Sequence, residues 1–238
     1  MLRGVYTGVC GMLTQQSRLD AVATNAANLN TPGYLRKRSV VVGEFAEILF
    51  RVGGKAAEAV GTAQLANAAA DAPCDSSPGG LRETGRPLDV AAGGELFFSV
   101  LTPQGTLYTR DGRFAIDGEG YLVNKDGYRA LGEDGNPLRP GTEDVRFLPD
   151  GTLLAQGRNA GRLALFDLGN PVSAGNNLYA GNAVQVQGEV KQGYLTNSNA
   201  DMVKEVTEAM GALRIYEASQ RAVVTGDQTL GTLIASLR

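Results

Sequence analysis

Apolar residues recur at heptad spacing near the amino terminus of this chain. One row, whose members are seven residues apart, consists of Val5, Met12, Leu19 and Ala26. A second row, three residues further on, consists of Gly8, Gln15, Val22 and Leu29. A stripe this narrow is typical of a helix that packs against another helix, whereas a helix lying on a sheet has a broader apolar face. The pattern predicts a helix over residues 2–30 that pairs with a second helix.

The same spacing returns at the carboxyl end. Its main row consists of Met202, Ala209, Tyr216, Val223, Leu230 and Leu237. A row four residues further on consists of Val206, Leu213 and Ile234. We expect the two terminal helices to pair, with Met12, Leu19, Val22 and Leu29 against Val206, Leu213, Tyr216 and Val223. The pattern fits a helical hairpin closed within one monomer as well as helices that pair in a polymer.

A four-residue turn, Thr31, Pro32, Gly33 and Tyr34, ends the first helix. Proline disfavours helical geometry in the residue before it, and glycine readily adopts the left-handed conformation that reverses a chain. Two asparagines, Asn25 and Asn28, stand just before this turn. We expect them to form lateral or backbone hydrogen bonds between subunits.

Residues 37–80 carry a weaker pattern. Apolar and acidic positions are mixed over residues 40–50, which predicts a short helix or an extended arm. From Gly53 to Gly80 the chain is mostly Ala, Gly, Ser and Pro. Such a segment buries too little apolar surface to offset its ordering entropy. We expect a mobile linker there, and an Ala-rich helix over residues 55–70 is the alternative.

Asp-Gly pairs punctuate the middle of the chain and begin at Asp111, Asp117, Asp126, Asp134 and Asp150. Asp-Gly is preferred where both central turn residues have positive φ, so the spacing predicts consecutive hairpins. The expected strands are 96–101, 107–110, 113–116, 121–124, 145–147, 152–155, 162–167 and 183–190. They predict an antiparallel meander or small barrel.

The predicted fold class is therefore α+β, with paired amino- and carboxyl-terminal coiled-coil-like helices that flank a central antiparallel all-β domain. Residues 1–36 and 190–238 are assigned to a discontinuous helical assembly domain, and residues 81–189 to the central β domain. An extended arm and linker over 37–80 connects them.

The composition argues against several classes of function. The net charge of −3 comes from 22 basic and 25 acidic residues mixed along 238 positions, which argues against a nucleic-acid partner. The absence of histidine removes the usual triad base and His-ligated zinc. Cys10 and Cys74 have neither the spacing nor the context of a metal or redox pair. We therefore expect no catalytic residue, metal, cofactor or small-molecule substrate.

The acidic residues leave one alternative open. A secreted carbohydrate-binding or hydrolytic β domain would use paired carboxylates for acid and base chemistry. The candidates are Asp111, Asp117, Glu119 and Asp126. Residues 117–120 do not supply the ligand pattern of a calcium loop. We favour turns over ligands or catalysts at these positions.

Residues 25–34, Asn-Ala-Ala-Asn-Leu-Asn-Thr-Pro-Gly-Tyr, resemble the amino-terminal signature of bacterial flagellar rod and hook proteins. Residues 1–7, followed by Gly11 and Met12, are similar to the start of rod proteins of the FlgF and FlgG type. Residues 85–90, 97–100, 108–114 and 120–128 resemble the central β domain of this family in order and spacing, and 193–201 and 216–218 resemble its tail. Two departures are Glu95-Leu96, where the family usually has Asp-Gly, and Ala200, where valine is usual.

The resemblance implies a structural axial subunit of the flagellar basal-body rod, the drive shaft between motor and hook, and not an enzyme. A distal-rod or hook subunit of the same family is the alternative. The implied partners are further copies of the chain, other rod or hook subunits and the flagellar export apparatus. The implied location is the rod in the periplasm, reached without a cleaved signal peptide, and residues 1–30 lack the apolar run of such a signal.

We expect the terminal helices to form the assembly interface and to be largely disordered in the free monomer. Burial of a large apolar side chain contributes about 1.5 to 3 kcal/mol, ordering costs about 1 to 2 kcal/mol per residue, and the Ala, Gly and Gln in the stripes leave little surplus within one subunit. The assigned interface residues are Val5, Met12, Leu19, Val22, Asn25, Asn28, Leu29, Val206, Leu213, Tyr216, Val223 and Leu230.

Overall fold

The structure, a computed structural model, describes residues 2–52, 57–71 and 73–236, with side chains described within 7–38, 73–229, 231–232 and 235–236. Two helices lie at the ends, α1 Leu2–Ala27 and α2 Met202–Ser236. In chain order the strands between them are β1 Ser39–Val52, β2 Ala57–Asp71, β3 Leu81–Glu83, β4 Val90–Ala92, β5 Leu96–Thr102, β6 Gly105–Thr109, β7 Ala115–Ile116, β8 Leu122–Val123, β9 Arg129–Ala130, β10 Val145–Phe147, β11 Thr152–Ala155, β12 Arg158–Arg162, β13 Leu165–Gly175, β14 Leu178–Gln185, β15 Val190–Gln192 and β16 Tyr194–Thr196. Two terminal helices thus flank a mainly antiparallel β region, as the sequence predicted.

The chain divides into two compact units. The helical unit comprises residues 1–24, 38–72 and 202–238, and the β body comprises residues 25–37 and 73–201. The helical unit therefore contains most of α1, the β1–β2 hairpin and α2. The β body includes residues 25–36 and 190–201, which the sequence analysis had grouped with the terminal helices.

Helix α1 ends three residues earlier than the pattern predicts. The Asn28 N–H donates to the Asn25 carbonyl at 3.1 Å, and the Thr31 N–H donates to the Asn28 carbonyl at 3.1 Å. These are three-residue turns, which tighten the chain and replace the α-helical hydrogen bonds. As a result, Leu29 lies in the turn that follows the helix. At the start of α2, Asp201 occupies the position before the first helical residue, where aspartate is favoured.

The segment expected to be a linker contains a long hairpin. Strand β1 pairs antiparallel with β2 from Ser39 opposite Asp71 to Val52 opposite Ala57, with register shifts along the way. Across residues 57–71 both the mobile linker and the Ala-rich helix are therefore wrong, while the extended arm at residues 40–50 is confirmed as a strand. The Ala-rich sequence favours a helix locally, but pairing with the preceding strand β1 overrides that preference. Residues 53–56 lie outside the described residues.

The largest sheet of the β body closes on itself. Its strand order is β13-β14-β6-β5-β9-β8-β7, and β13 also pairs with β5. Strands β13, β14, β6 and β5 therefore form a small closed ring, which confirms the small barrel among the two predicted forms. A second sheet has the order β10-β11-β12, and two ribbons pair β15 with β4 and β16 with β3.

Strand positions follow the prediction best where the apolar run is short. The predicted strands 96–101, 145–147 and 152–155 are confirmed nearly residue for residue. The predicted strand 183–190 is wrong, because β14 ends at Gln185 and a separate strand, β15, begins at Val190. Short strands such as β3, β4 and β16 were missed, since three residues carry too little pattern to be recognised.

Most Asp-Gly pairs do form turns, but by a different geometry. Among the described residues, no aspartate has positive φ, whereas Gly127, Gly135 and Gly151 do. The Asp117 Oδ1 accepts hydrogen bonds from the backbone N–H groups of Glu119 and Tyr121, at 2.9 and 2.8 Å. These are Asx-type turns, in which the side chain imitates a backbone acceptor.

Two hairpins do have positive φ at both central residues. Gln156 and Gly157 join β11 to β12 with φ of 48° and 76°, and Asn176 and Asn177 join β13 to β14 with φ of 49° and 60°. This is the turn geometry that matches the right-handed twist of paired strands.

Two apolar clusters hold the β body together. The larger one includes Phe98 and Phe114, whose rings meet edge to face with centroids 5.4 Å apart. The smaller one consists of Leu35, Cys74, Phe97, Leu168 and Tyr179. Within the described residues, no helix combines the length and apolar character that crossing a membrane requires.

Candidate functional site

Helices α1 and α2 approach each other through small residues. Gly8 packs against Val223, and Gly11 packs against Ser219. Positions rise along α1 as they fall along α2, so the two helices run antiparallel. A Cβ atom on Gly8 would overlap with the Val223 side chain, so glycine allows this close approach.

Helix α2 has two different faces. The inner face, defined by its buried and half-buried residues at spacings of three and four, consists of Glu205, Ala209, Ala212, Tyr216, Ser219, Val223 and Gly226. The outer face, defined by exposed large apolar residues at the same spacings, consists of Val203, Val206, Met210 and Leu213. Most inner-face residues are small or polar, so the larger apolar side chains of this part of α2 lie towards solvent.

The structure separates the residues that the sequence placed in one carboxyl-terminal stripe. Tyr216 and Val223 are half-buried, and Val223 contacts α1. Val206 and Leu213 are 45% and 47% exposed, so their predicted packing against α1 is not formed within the chain. The physical reason is that the small residues of both helices allow the closer approach, which turns the larger residues outward.

The amino-terminal stripe is also divided. Val22 is buried, and Met12 and Leu19 are half-buried. Val9 and Leu13, which the heptad rows did not include, are exposed large apolar residues. The side chains of Val5 and Leu230 lie outside the described residues.

The Asn25 side chain forms hydrogen bonds within its own chain. Its side chain is almost completely buried, its Oδ1 accepts from the Tyr34 hydroxyl at 3.0 Å and from the Lys37 N–H at 2.8 Å, and its Nδ2 donates to the Lys37 carbonyl at 3.0 Å. Asn28 Oδ1 accepts from the Thr31 hydroxyl at 3.1 Å. A buried amide with these partners is not accessible to a neighbouring subunit, so the expected intersubunit bond at Asn25 is replaced by an intrachain one.

Residues 25–37, here called the turn segment, dock onto the β body. Gly33 has a φ of 68°, and its N–H donates to the Thr196 carbonyl at 2.8 Å. A Cβ atom at this position would overlap with the backbone of Arg110 and Asp111. Glycine is therefore required here both for its left-handed conformation and for its close contact with the backbone of Arg110 and Asp111.

Two asparagines that the sequence analysis did not single out as site residues hold the turn segment. Asn177 Nδ2 donates to the Pro32 carbonyl at 2.9 Å. Asn199 Oδ1 accepts from the Arg36 N–H at 2.7 Å, and its Nδ2 donates to the Asp75 carbonyl at 2.8 Å. The sequence signal for Asn177 was the Asn-Asn pair between two apolar runs, which favours a tight hairpin turn.

Leu35 adds an apolar contact to these bonds. It is 1% exposed and lies in the smaller cluster with Phe97 and Tyr179. Its N–H donates to the Tyr179 hydroxyl at 2.8 Å. Burial raises the pKa of Tyr179 above its ordinary value, while the hydrogen bond from Leu35 opposes the rise. The phenol is therefore neutral and supplies both a donor and an acceptor.

Arg110 is the most deeply buried charged group beside this segment. Its guanidinium lies 4.5 Å from the Phe97 ring centroid, and its Nη1 donates to the Ser76 carbonyl at 3.0 Å. Burial lowers the pKa of Arg110 to about 10, while Glu95 and other anionic groups act in the opposite direction. Its Nε and Nη2 have no hydrogen-bond partner within the part of the chain that the structure describes. A buried cation is costly unless opposite charges and hydrogen bonds compensate its loss of hydration.

Three of the four carboxylates considered for sugar chemistry, Asp111, Asp117 and Glu119, have structural partners. Asp111 is 5% exposed and forms a two-point ion pair with Arg113, at 2.6 Å from Oδ2 to Nη2. This hydrogen bond raises the pKa of Arg113, although partial burial opposes it. Glu119 Oε2 accepts from Arg129 Nη2 at 2.6 Å. Ion pairs and turn hydrogen bonds account for these three carboxylates without a ligand.

A surface cleft of about 310 Å³ is found elsewhere on the β body. Its walls include Pro78, Leu81, Ala92, Glu189 and Lys191. None of the aspartates considered above lines it. The cleft therefore does not support the carbohydrate alternative.

Comparison with known proteins gives matches along most of the chain. Residues 5–34 match the model for "Flagella basal body rod protein", residues 91–155 match "Flagellar hook protein FlgE/F/G D1 domain", and residues 191–237 match "Flagellar basal body rod FlgEFG protein C-terminal". The flagellar basal-body rod protein FlgG of Bacillus subtilis (strain 168) is 30% identical, with 98% of each chain covered. This chain belongs to the flagellar basal-body rod protein family.

Other members of this family are similar over the same length. The FlgG rod protein of Agrobacterium fabrum is 31% identical and covers 100% of both chains. The FlgF rod protein of Mesorhizobium japonicum is 29% identical over 98% of both. The family match at residues 5–34 spans α1 and the helix-ending turn. The resemblance on which the sequence analysis relied is thereby confirmed.

Proposed function

We propose that this chain is an axial structural subunit of the flagellar basal-body rod and that it polymerises through its terminal helices. Family membership supports the rod assignment, since relatives similar over the whole chain are named basal-body rod proteins. The observation that carries the assembly mechanism is the outer face of α2. It presents Val203, Val206, Met210 and Leu213 to solvent at heptad spacing.

The outer face has the spacing that helix pairing requires. Apolar residues that alternate at three and four positions form a narrow stripe, which packs into the holes of a facing helix. Full burial of a large apolar side chain contributes about 1.5 to 3 kcal/mol. Val206, Met210 and Leu213 are about half exposed, so each would add roughly 1 kcal/mol. Because the same contact would recur between successive subunits of a polymer, this small gain in free energy would be repeated at each contact. Coiled-coil-like pairing between subunits is therefore the proposed mode of assembly.

The proposed interface differs in part from the residues first assigned. Val206 and Leu213 are its centre on α2, with Val9 and Leu13 as exposed counterparts on α1. Met12, Leu19, Tyr216 and Val223 are half-buried and Val22 is buried, and we keep them in the proposal as supporting positions. Leu29 stays on its heptad position, since it lies in the turn after α1. Val5 and Leu230 stay in the proposal on their heptad positions alone. Asn25 is omitted, because its side chain bonds within the chain.

The proposed setting follows from the family. The partners are further copies of this chain and other rod or hook subunits, with the flagellar export apparatus as the route of delivery. The proposed location is the periplasmic part of the basal body. A distal-rod or hook position would keep the same mechanism and change only the place in the tube. Electron microscopy of basal bodies from cells that lack the protein distinguishes these positions.

Replacement of Leu213 tests the interface. In Leu213→Asp, burial of an unpaired carboxylate against a partner helix would cost several kcal/mol, so we expect loss of incorporation into basal bodies. The measurement is detection of the variant in purified basal bodies, together with motility in complemented cells. Near-ultraviolet circular dichroism of the free chain should show an unchanged β body, because Leu213 belongs to the helical unit.

Ala222→Asp is the matched control. It places the same charge on the same helix at another exposed residue, nine positions further and about 180° around the axis. We expect this variant to enter basal bodies normally. Normal incorporation of Leu213→Asp, or equal loss in both variants, would contradict the outer-face assignment.

A further inference from the structure

We propose that the turn segment, residues 25–37, is a latch that opens and closes on the β body as a cooperative step of its own. In the closed state it covers Cys74 and fastens the loop that binds Arg110. In the open state the rest of the β body stays folded. This inference does not depend on the role of the chain in the rod.

The latch completes an apolar cluster that the β body cannot close alone. Leu35 is the member of the smaller cluster that comes from the turn segment, and its partners Phe97, Leu168 and Tyr179 come from the closed sheet. Cys74 is the fifth member and is 3% exposed. Withdrawal of Leu35 would uncover Cys74 while leaving the pairing of β5, β13 and β14 intact.

Hydrogen bonds to residues far away in the sequence also hold the latch. Gly33 bonds to Thr196, Pro32 to Asn177, and Arg36 to both Asn199 and Asp75. Residues 34–38 belong to no strand, so no sheet ladder needs to break for the latch to open. Segments with few apolar contacts open at free energies below that of global unfolding.

Arg110 lowers the free energy of opening further. The Asp75 N–H donates to the Arg36 carbonyl at 2.9 Å, and the next residues, Ser76 and Ser77, supply the carbonyl groups that accept from Arg110. Release of Arg36 would free this loop and allow water to reach a buried cation. Since an incompletely satisfied buried cation is costly, its hydration offsets part of the free energy needed to break the hydrogen bonds of the latch.

The larger cluster shows why the body would survive. It contains Val90, Phe98, Phe114, Leu122 and Leu153, all 0 or 1% exposed, and no residue of the turn segment. Its strands are joined by backbone pairing that does not pass through residues 25–37. The latch and this cluster are therefore separate cooperative parts.

Cys74 provides the test as a reporter of latch opening. In a full-length Cys10→Ser background it is the one thiol left, since the chain has two cysteines. We would measure the rate at which a maleimide labels Cys74 over a urea series, beside loss of the near-ultraviolet signal of the body. The proposal expects labelling well below the urea concentration at which that signal is lost.

Two variants move the latch, and one does not. Gly33→Ala introduces a Cβ atom that overlaps with the Arg110 backbone, and it places alanine at a position with positive φ. We expect the rate of Cys74 labelling to rise by about tenfold or more. Tyr34→Phe removes only the hydroxyl that donates to Asn25, so a severalfold acceleration is expected and the fold is retained even if Gly33→Ala fails to fold. A Cβ atom added at Gly80 would have no other atom within 4 Å, so Cys74 in Gly80→Ala should be labelled at the rate of the parent chain.

The outcomes separate clearly. Faster labelling of Cys74 in Tyr34→Phe and Gly33→Ala, with an unchanged midpoint of unfolding of the β body, supports the latch. Labelling that begins only where the near-ultraviolet signal is lost, at equal rates in Tyr34→Phe and Gly80→Ala, overturns it. Labelling that rises only in parallel with a lowered unfolding midpoint of the whole body overturns it as well.

Discussion

At the scale of single residues, turn chemistry decides much of this fold. Aspartate and asparagine act mainly as side-chain acceptors for backbone N–H groups, as Asn124 does for Asp126 and Tyr128 at 3.0 and 2.9 Å. The positive φ angles fall mostly on glycine, and Gln156 is an exception at 48°. Glutamine lacks the short side chain that stabilises this conformation in asparagine. Gln156 is therefore a position where the sequence is not optimal for its turn.

Replacement of Gln156 tests this interpretation. Asn-Gly is the preferred pair for a two-residue hairpin with positive φ at both positions, so Gln156→Asn should stabilise the β body by about 0.5 to 1 kcal/mol. The measurement is urea unfolding followed by near-ultraviolet circular dichroism. Gln104→Asn is the control, because Gln104 is an exposed turn residue whose φ is not positive. Equal effects of both changes would refute the role of φ.

At the scale of elements, the two terminal helices are poorly equipped to be stable alone. Their contact uses Gly8, Gly11 and Ser219, which bury little apolar surface. The salt bridge between Arg18 and Glu208 is 3.9 Å long and partly exposed, and such a pair contributes little. Ordering the helical backbone costs about 1 to 2 kcal/mol per residue. We propose that neighbouring subunits supply the difference.

We therefore expect the terminal helices to be largely disordered in the free monomer and to become ordered on assembly. Far-ultraviolet circular dichroism should show a helical signal that is weak in the dilute chain and increases on polymerisation. The Leu213→Asp variant is the control, because it should keep the weak signal under the same conditions. Full helicity of the dilute monomer at micromolar concentration would refute this expectation.

At the scale of the whole molecule, the division into two units predicts independent energetics. Phe114 is 1% exposed and packs edge to face on Phe98 within the β body, while Leu213 belongs to the helical unit. Changes in separate units should not couple, because distant sites without shared partners are additive. Replacement of the core residue Phe114 should change the stability of the β body. Replacement of Leu213 on α2 should change assembly.

Phe114→Ala should lower the unfolding free energy of the β body by about 3 to 5 kcal/mol, since it leaves a cavity in the larger cluster. Near-ultraviolet circular dichroism reports this unit, because six of the eight tyrosines lie in it and the others are Tyr6 and Tyr216. Leu213→Asp should leave the same transition unchanged, and the double variant should match Phe114→Ala. A shift caused by Leu213→Asp would show that the units are coupled.

The sequence by itself determined the features that depend on local chemistry. Heptad spacing located both helices, Thr31 to Tyr34 marked the end of the first, and Asp-Gly pairs marked several turns. Short-range periodicity and turn propensity act within a few residues, so one sequence is enough to predict their results. The residues 25–34 and the central motifs also carried the family resemblance, which the comparisons confirmed.

Only the tertiary structure decided which partner each element has. It paired the Ala-rich residues 57–71 with β1, closed β13 onto β5, and assigned Asn25 to the turn segment of its own chain. It also turned the small face of α2 inward and Leu213 outward. Such choices depend on contacts beyond the few residues that a periodicity covers, and on packing in which glycine and alanine permit close approach and larger side chains do not.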